Sequence, residues 1–206
     1  MRNLIAPFVS SIVLMVAVGC AGKGEVIPIH LQPAPLSADK AAKPPDVVRV
    51  SVAPFEDQRH EKNRLGVRTH LWGGESVFNV PGGLPGEAAA QALADYLAAR
   101  GWQIVKPGAT DNHADVILSG KILDLAIAAK SGVGSTKLTG SSRLAVQARN
   151  TGDESQVRMT LSSAGSDRVF WFAPDDAQAL LNDILNESFD KLMRDVKVEQ
   201  RMIRLK

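Results

Sequence analysis

A single cysteine decides how much of this 206-residue chain is left to fold. Cys20 stands at the end of an apolar run, Leu4 to Val18, that follows one positive charge at Arg2, and Ala21-Gly22-Lys23 ends the hydrophobicity. A short charged lead, an apolar stretch well below the roughly 20 residues that span a bilayer, and small residues at the cut are the parts of a secretory signal. Residues 1–19 are therefore read as a signal peptide. The folded product has to come from the chain beyond them.

Ala17-Val18-Gly19-Cys20 resembles the bacterial lipobox, in which cleavage falls before a cysteine whose sulfur carries a diacylglycerol. That resemblance implies lipidation at Cys20, palmitate among the acyl chains, and a covalent lipid anchor as the chain's contact with the membrane. Each buried CH₂ contributes about 0.8 kcal/mol, so one acyl chain holds weakly and two or three hold stably. Ala21 stands where an aspartate commonly keeps such proteins in the inner membrane. The expected address is the periplasmic face of the outer membrane.

With Cys20 lipidated, no thiol remains for a disulfide, a metal site or a nucleophile, so a packed core must supply stability. A domain of some 160 residues, 47–206, buries close to 70% of its unfolded-chain surface, enough for one core. The formal charge of +2 falls to +1 once Arg2 leaves with the signal. Such a balance argues for neither nucleic acid nor a polybasic lipid-binding surface.

Residues 20–46 carry prolines at 28, 33, 35, 44 and 45 and read as a tether. In PPII-like form it would reach on the order of 80 Å. Within it, Val26, Ile27, Ile29 and Leu31 form an apolar patch suited to adding as an edge strand to the domain or to a partner, docking on the domain being the favoured reading. Val48, Val50 and Val52 alternate as a strand. From Pro54 to Gly86 the chain reads as one long irregular loop, of the kind that is often functional. A helix follows from Pro85 to about Arg100, stopped by Gly101. Trp102 to Val105 forms a short strand, Asp115 to Ala128 a longer one with a bulge at Gly120, and alternation over 143–149 and 157–161 completes a meander. Pro174, with Asp175 and Asp176 in the first turn, starts a last helix whose stripe runs through Ala177, Leu181, Ile184, Leu185, Ser188, Leu192 and Val196. The order strand-helix-strand-strand-strand-helix predicts an α+β domain: a mostly antiparallel sheet of four to five strands with two helices on one face.

Several short motifs occur together: the lipobox, Val26-Ile27-Pro28-Ile29, Glu56-Asp57-Gln58-Arg59, Ala99-Arg100-Gly101-Trp102, Leu118-Ser119-Gly120 and Leu180-Leu181-Asn182. In this arrangement the chain resembles the YajG-type family of bacterial lipoproteins. The resemblance implies an outer-membrane lipoprotein with an α+β domain and no catalytic residues to transfer. The stretch from Leu65 to Gly86, with Trp72 and paired glycines, is longer than that pattern.

Chemistry is sparse. Asp57, His60, Glu61 and His70, with His113 and Asp115 elsewhere, lack the spacing of a zinc helix, so no metal is expected. Ser131 to Ser135 and Ala164 to Asp167 do not make a nucleophile elbow and read as turns, and no phosphate loop is present. The expectation is therefore not an enzyme and no cofactor. Asp57 pairing with Arg59 or Arg64 is the structural reading of the charged run. Arg59, Arg64 and Trp72 are the candidate partner-binding residues, Trp and Arg being the side chains that dominate binding hot spots. Phe170-Trp171-Phe172 is read as core. The functional expectation is an anchored periplasmic module that binds another envelope protein. The alternative is a carrier holding an apolar ligand in a cavity of several hundred Å³ between sheet and helices.

Overall fold

The computed structural model describes residues 24–32, 47–106 and 114–206. The signal peptide, Cys20, residues 33–46 and His113 lie outside them. In chain order the elements are β1 (Val26–Pro28), β2 (Arg49–Val52), β3 (Glu56–Asp57), β4 (Gly66–Thr69), β5 (Glu75–Asn79), helix α1 (Pro85–Ala99) and β6 (Gln103–Val105). Then come β7 (Val116–Gly132), β8 (Ser135–Asn150), β9 (Gln156–Val169), helix α2 (Pro174–Asp195), β10 (Val196–Glu199) and β11 (Met202–Leu205).

Strand β7 organises the sheet. One of its edges pairs along its whole length with β8, which pairs in turn with β9, giving the antiparallel meander. The other edge takes three parallel partners in succession: β2 at 116–118, β3 at 121–122 and β4 at 129–130. β6 extends the sheet beyond β2, while β5 and then β1 extend it beyond β4. The result is a mixed sheet of nine strands that curls into a half-barrel, with a separate β10–β11 hairpin. This overturns the expected mostly antiparallel sheet of four to five strands with both helices on one face. Strands of 14 to 17 residues accumulate twist and cannot stay flat, so the sheet curls.

A β-bulge keeps β7 in phase with the core. Ile122 pairs with Leu144 and Asp124 with Arg143, leaving Leu123 as the extra residue. Strict alternation from Ile122 would turn Leu125 and Ile127 outward; the extra residue returns both to the interior, where each is at most 1% exposed. The bulge is thus at Leu123 and not at Gly120. Gly120 instead leaves room for the Phe55 ring, which a Cβ there would meet at 2.8 Å.

Helix α2 lies along β8 and β9 over a cross-strand glycine pair, Gly140 and Gly165. A Cβ on Gly140 would come 2.8 Å from Ile184 Cδ1, so the glycines set how closely the helix approaches. Leu181, Leu185 and Phe189 are fully buried there, each contributing about 1.5–3 kcal/mol. Tyr96 of α1 packs edge-on to Phe189 at 5.2 Å, and its hydroxyl donates to Asp190. Burial first, and then that bond, push the phenol well above its ordinary pKa. These large side chains occupy the layer where a carrier would need its cavity.

The segment ahead of the domain is part of it. β1 adds in parallel to β5, and Ile27, Ile29 and Leu31 are at most 7% exposed. The chain after α2 returns as the β10–β11 hairpin. Asn150 pins it: its Oδ1 accepts from the Ile203 N–H at 2.8 Å and its Nδ2 donates to the Ile203 carbonyl at 3.0 Å.

Candidate functional site

The stretch from Pro54 to Gly86, expected as one long loop, holds β3, β4 and β5. Its strands pair with β7 and with one another, and Arg59 closes the interval between them. Between residues 122 and 129 the second edge of β7 has no continuous strand beside it. Into that interval Arg59 sends its guanidinium, donating from Nη1 to the carbonyls of Leu125 at 3.1 Å and Arg64 at 3.0 Å. Nε and Nη2 grip Asp57, each at 2.9 Å. Arg59 is 5% exposed and presents nothing to a partner. Burial works to raise the Asp57 carboxyl, but the hydrogen bonds and charge of Arg59 outweigh it and hold the group below its ordinary pKa.

Arg64 is different. Its side chain is half-exposed and pairs with Glu61 at 3.1 Å, an interaction worth well under 1 kcal/mol in water. It stands on an open groove of about 530 Å³ between the 59–67 segment and strands β7 and β8, bordered also by the bulged Leu123.

Trp72 occupies the tip of the β4–β5 hairpin and is 92% exposed. Its turn is closed by the Gly73 N–H donating to the His70 carbonyl at 3.2 Å and the His70 N–H donating to Gly74 at 3.1 Å. Other large apolar side chains surface at the same end of the sheet: Val133 in the β7–β8 turn, and Phe170 and Trp171 after β9, at 92%, 71% and 82% exposure. Phe170 and Trp171 are not core, as the sequence suggested. Only Phe172 turns inward, packing on Phe78 at 6.1 Å beneath the Arg68 guanidinium at 4.0 Å. That contact ties the segment after β9 to the β4–β5 hairpin.

The acidic and histidine candidates are dispersed. Asp115 is committed to Arg49, with Nη2 at 3.1 Å; burial favours the neutral acid, but the Arg49 bonds prevail and lower its pKa. No group of three or more His, Cys, Asp or Glu converges among the described residues. A constellation that spacing concealed joins His70 Nε2 to Ser76 Oγ at 2.8 Å, with Glu25 on the same hydroxyl at 3.5 Å. Ser76 is fully buried and the carboxylate meets the hydroxyl instead of the imidazole, so the trio clasps β1 to the hairpin and does not arm a nucleophile. Ser131 bonds Thr136 within the β7–β8 hairpin, and Ala164 to Asp167, expected as a turn, lies inside β9.

No helix among the described residues is long and apolar enough to cross a membrane. No family model matches the chain, and no curated protein matches its sequence. Solved structures are similar in fold. A Xanthomonas campestris protein of the DUF330 family aligns over 82% of this chain and 90% of its own, at a TM-score of 0.50 and 11% identity. A lipoprotein of Neisseria meningitidis aligns over 71% of this chain and 99% of its own, at a TM-score of 0.38 and 10% identity. Neither is named as YajG-type; the first likeness, at 11% identity, bears on fold alone, and the second, at a TM-score of 0.38, supports no argument.

Proposed function

We propose that this chain is a lipid-anchored module of the bacterial envelope, held through Cys20 at the periplasmic face of the outer membrane, that acts by binding another envelope protein and not by catalysis. Cys20 at the lipobox-like end of the apolar run carries the reading, and how closely that anchor would hold the domain is set by Gly24. Four residues after Cys20, its N–H donates to the Glu75 carbonyl at 3.1 Å. Four residues extend at most about 14 Å, so a lipid on Cys20 would hold the domain against the membrane, far closer than the tether estimate. The YajG-type likeness of the short motifs agrees with this address.

For the partner surface, the groove beside Arg64 and Leu123 is favoured over Arg59, which is spent on Asp57 and backbone carbonyls. The groove has one half-exposed cation, an exposed leucine on a bulge, and polar walls from Thr139 and Ser141.

Two measurements test the proposal. Labelled palmitate should enter the wild type and not Cys20→Ser; equal incorporation ends the anchor reading. A photo-crosslinking side chain at Leu123, used in intact cells, should capture an envelope protein whose yield drops at least fivefold in Arg64→Glu. A captured set identical to that of an unrelated lipoprotein with the same anchor ends the partner reading.

A further inference from the structure

We infer that the rim formed by Leu71, Trp72, Val133, Phe170 and Trp171 is a bilayer-contact surface, seated in the headgroup region of anionic phospholipid beside the anchor. The inference rests on the proposed anchoring at Cys20 and deepens it: the domain would lie on the membrane in one orientation.

Register places the rim. Thr69 pairs with Lys130, Lys130 with Lys137, and Lys137 with Arg168, so the four residues form one rung across β4, β7, β8 and β9. Trp72, Val133 and Phe170 each lie two or three residues beyond that rung in the same direction. Glu75 pairs with Thr69 at the rung's other end, and it is Glu75 whose carbonyl receives the Gly24 N–H. The first described residue after Cys20 therefore enters the fold at the end of the sheet that carries the exposed aromatics. Four residues span at most about 14 Å, so an anchor on Cys20 would act at the same end.

The rung itself supplies the second argument. Lys130, Lys137 and Arg168 are exposed, directly opposite one another, and none has an ion-pair partner among the described residues; Arg168 Nη1 donates only to Ser135 Oγ at 3.1 Å. Like charges facing across strands repel, and a layer of lipid phosphates relieves that repulsion. Glu75, two strands from Lys130, leaves the three cations at the β7–β9 side unneutralised.

Depth agrees as well. At about 3.3 Å per residue the cations sit roughly 7–10 Å behind the tips. Aromatic rings at the boundary with the acyl chains and cations among the phosphates match the layering of a membrane surface. A protein partner would be served by the apolar tips alone; it would not require the anchor to share their end.

The sole cysteine permits a test that is independent of cellular lipidation. The chain from Cys20 onward, which contains every described residue, is coupled through Cys20 to a maleimide lipid in vesicles of phosphatidylethanolamine and phosphatidylglycerol. Bromine-labelled acyl chains should quench Trp72 and Trp171 and spare the buried Trp102, with Trp72→Phe and Trp171→Phe used to assign the signals. With Cys20→Ser and no coupling, partition onto phosphatidylglycerol vesicles should fall about fivefold for each of Lys130→Gln, Lys137→Gln and Arg168→Gln, and should weaken with salt. Quenching of neither exposed tryptophan in the coupled protein overturns the inference, whatever palmitate labelling says of Cys20. Loss of a specific protein crosslink in Trp171→Ser without any bromine quenching would assign the rim to a protein instead.

Discussion

Arg59 and Asp57 form a two-pronged pair, Nε to Oδ1 and Nη2 to Oδ2 at 2.9 Å each, on a strand edge that has no continuous neighbour. Removing Asp57 leaves the buried Arg59 without its counter-charge, and removing Arg59 leaves the partly buried Asp57 without its own. Asp57→Asn and Arg59→Ala should each lower unfolding free energy by about 3 kcal/mol, whereas Arg64→Ala should change it by less than about 0.5 kcal/mol. Urea unfolding followed by circular dichroism separates them; equal midpoints for Arg59→Ala and Arg64→Ala would refute the edge-closing role.

Acid stability follows from carboxylates held below their ordinary range. Asp153 is lowered to about 2, first by the Ser155 hydroxyl and then by Arg204, and Asp57 and Asp115 are lowered by their arginines against the opposing effect of burial. Each folded-state pKa lies below the unfolded value near 4. Their stabilisation is therefore complete above about pH 4 and is lost as pH falls through the folded values, toward pH 2 for Asp153. Urea midpoints of wild type and Asp153→Asn should differ at pH 6 and converge near pH 2. A constant gap across that range would show that the group is not shifted by folding.

Gly66 approaches β7 so closely that a Cβ would lie 1.8 Å from the Ile127 carbonyl oxygen. A backbone atom cannot rotate aside. Gly66→Ala should cost about 3 kcal/mol or more, seen as a fall in melting temperature or as loss of soluble protein, while Gly132→Ala, whose Cβ would meet the Ser135 carbonyl oxygen at an ordinary 3.5 Å, should be mild by comparison.

Asn150 is fully buried and holds both backbone groups of Ile203. Replacing it with alanine leaves an N–H and a carbonyl without partners, a loss of about 2–3 kcal/mol. Amide exchange should speed up at Ile203 and along β10–β11 before it changes in β7. Uniform acceleration across the whole domain would mean the hairpin is not an independent unit.

Helices and meander were legible because their signals are local. Pro85 and Pro174 fix helix starts, and alternation over 143–149 and 157–161 marks strands whose neighbours are adjacent in sequence. The parallel additions to β7 carry no such signal: β3 has two residues, and its pairing is with a strand more than sixty positions away. The last hairpin was hidden for another reason. Its turn places Gln200 and Arg201 at φ of 52° and 62°, where the sequence offers none of the Asn-Gly chemistry that announces such turns. Arg59 misled because exposure is the usual state of arginine, and only the interval on β7 reveals its acceptors. The row of Lys130, Lys137 and Arg168 is invisible to net charge, since register alone assembles it.

Because β1 runs parallel to β5 and enters from Gly24, tension on the amino-terminal side would pull along the strand and load its hydrogen bonds together, in shear, instead of peeling them off singly. The side chains of Ile27 and Ile29 resist withdrawal in the same direction. A tug between the bilayer and whatever the domain grips would meet its mechanical resistance at this short strand, and the weakest clasp would set the force at which the two part.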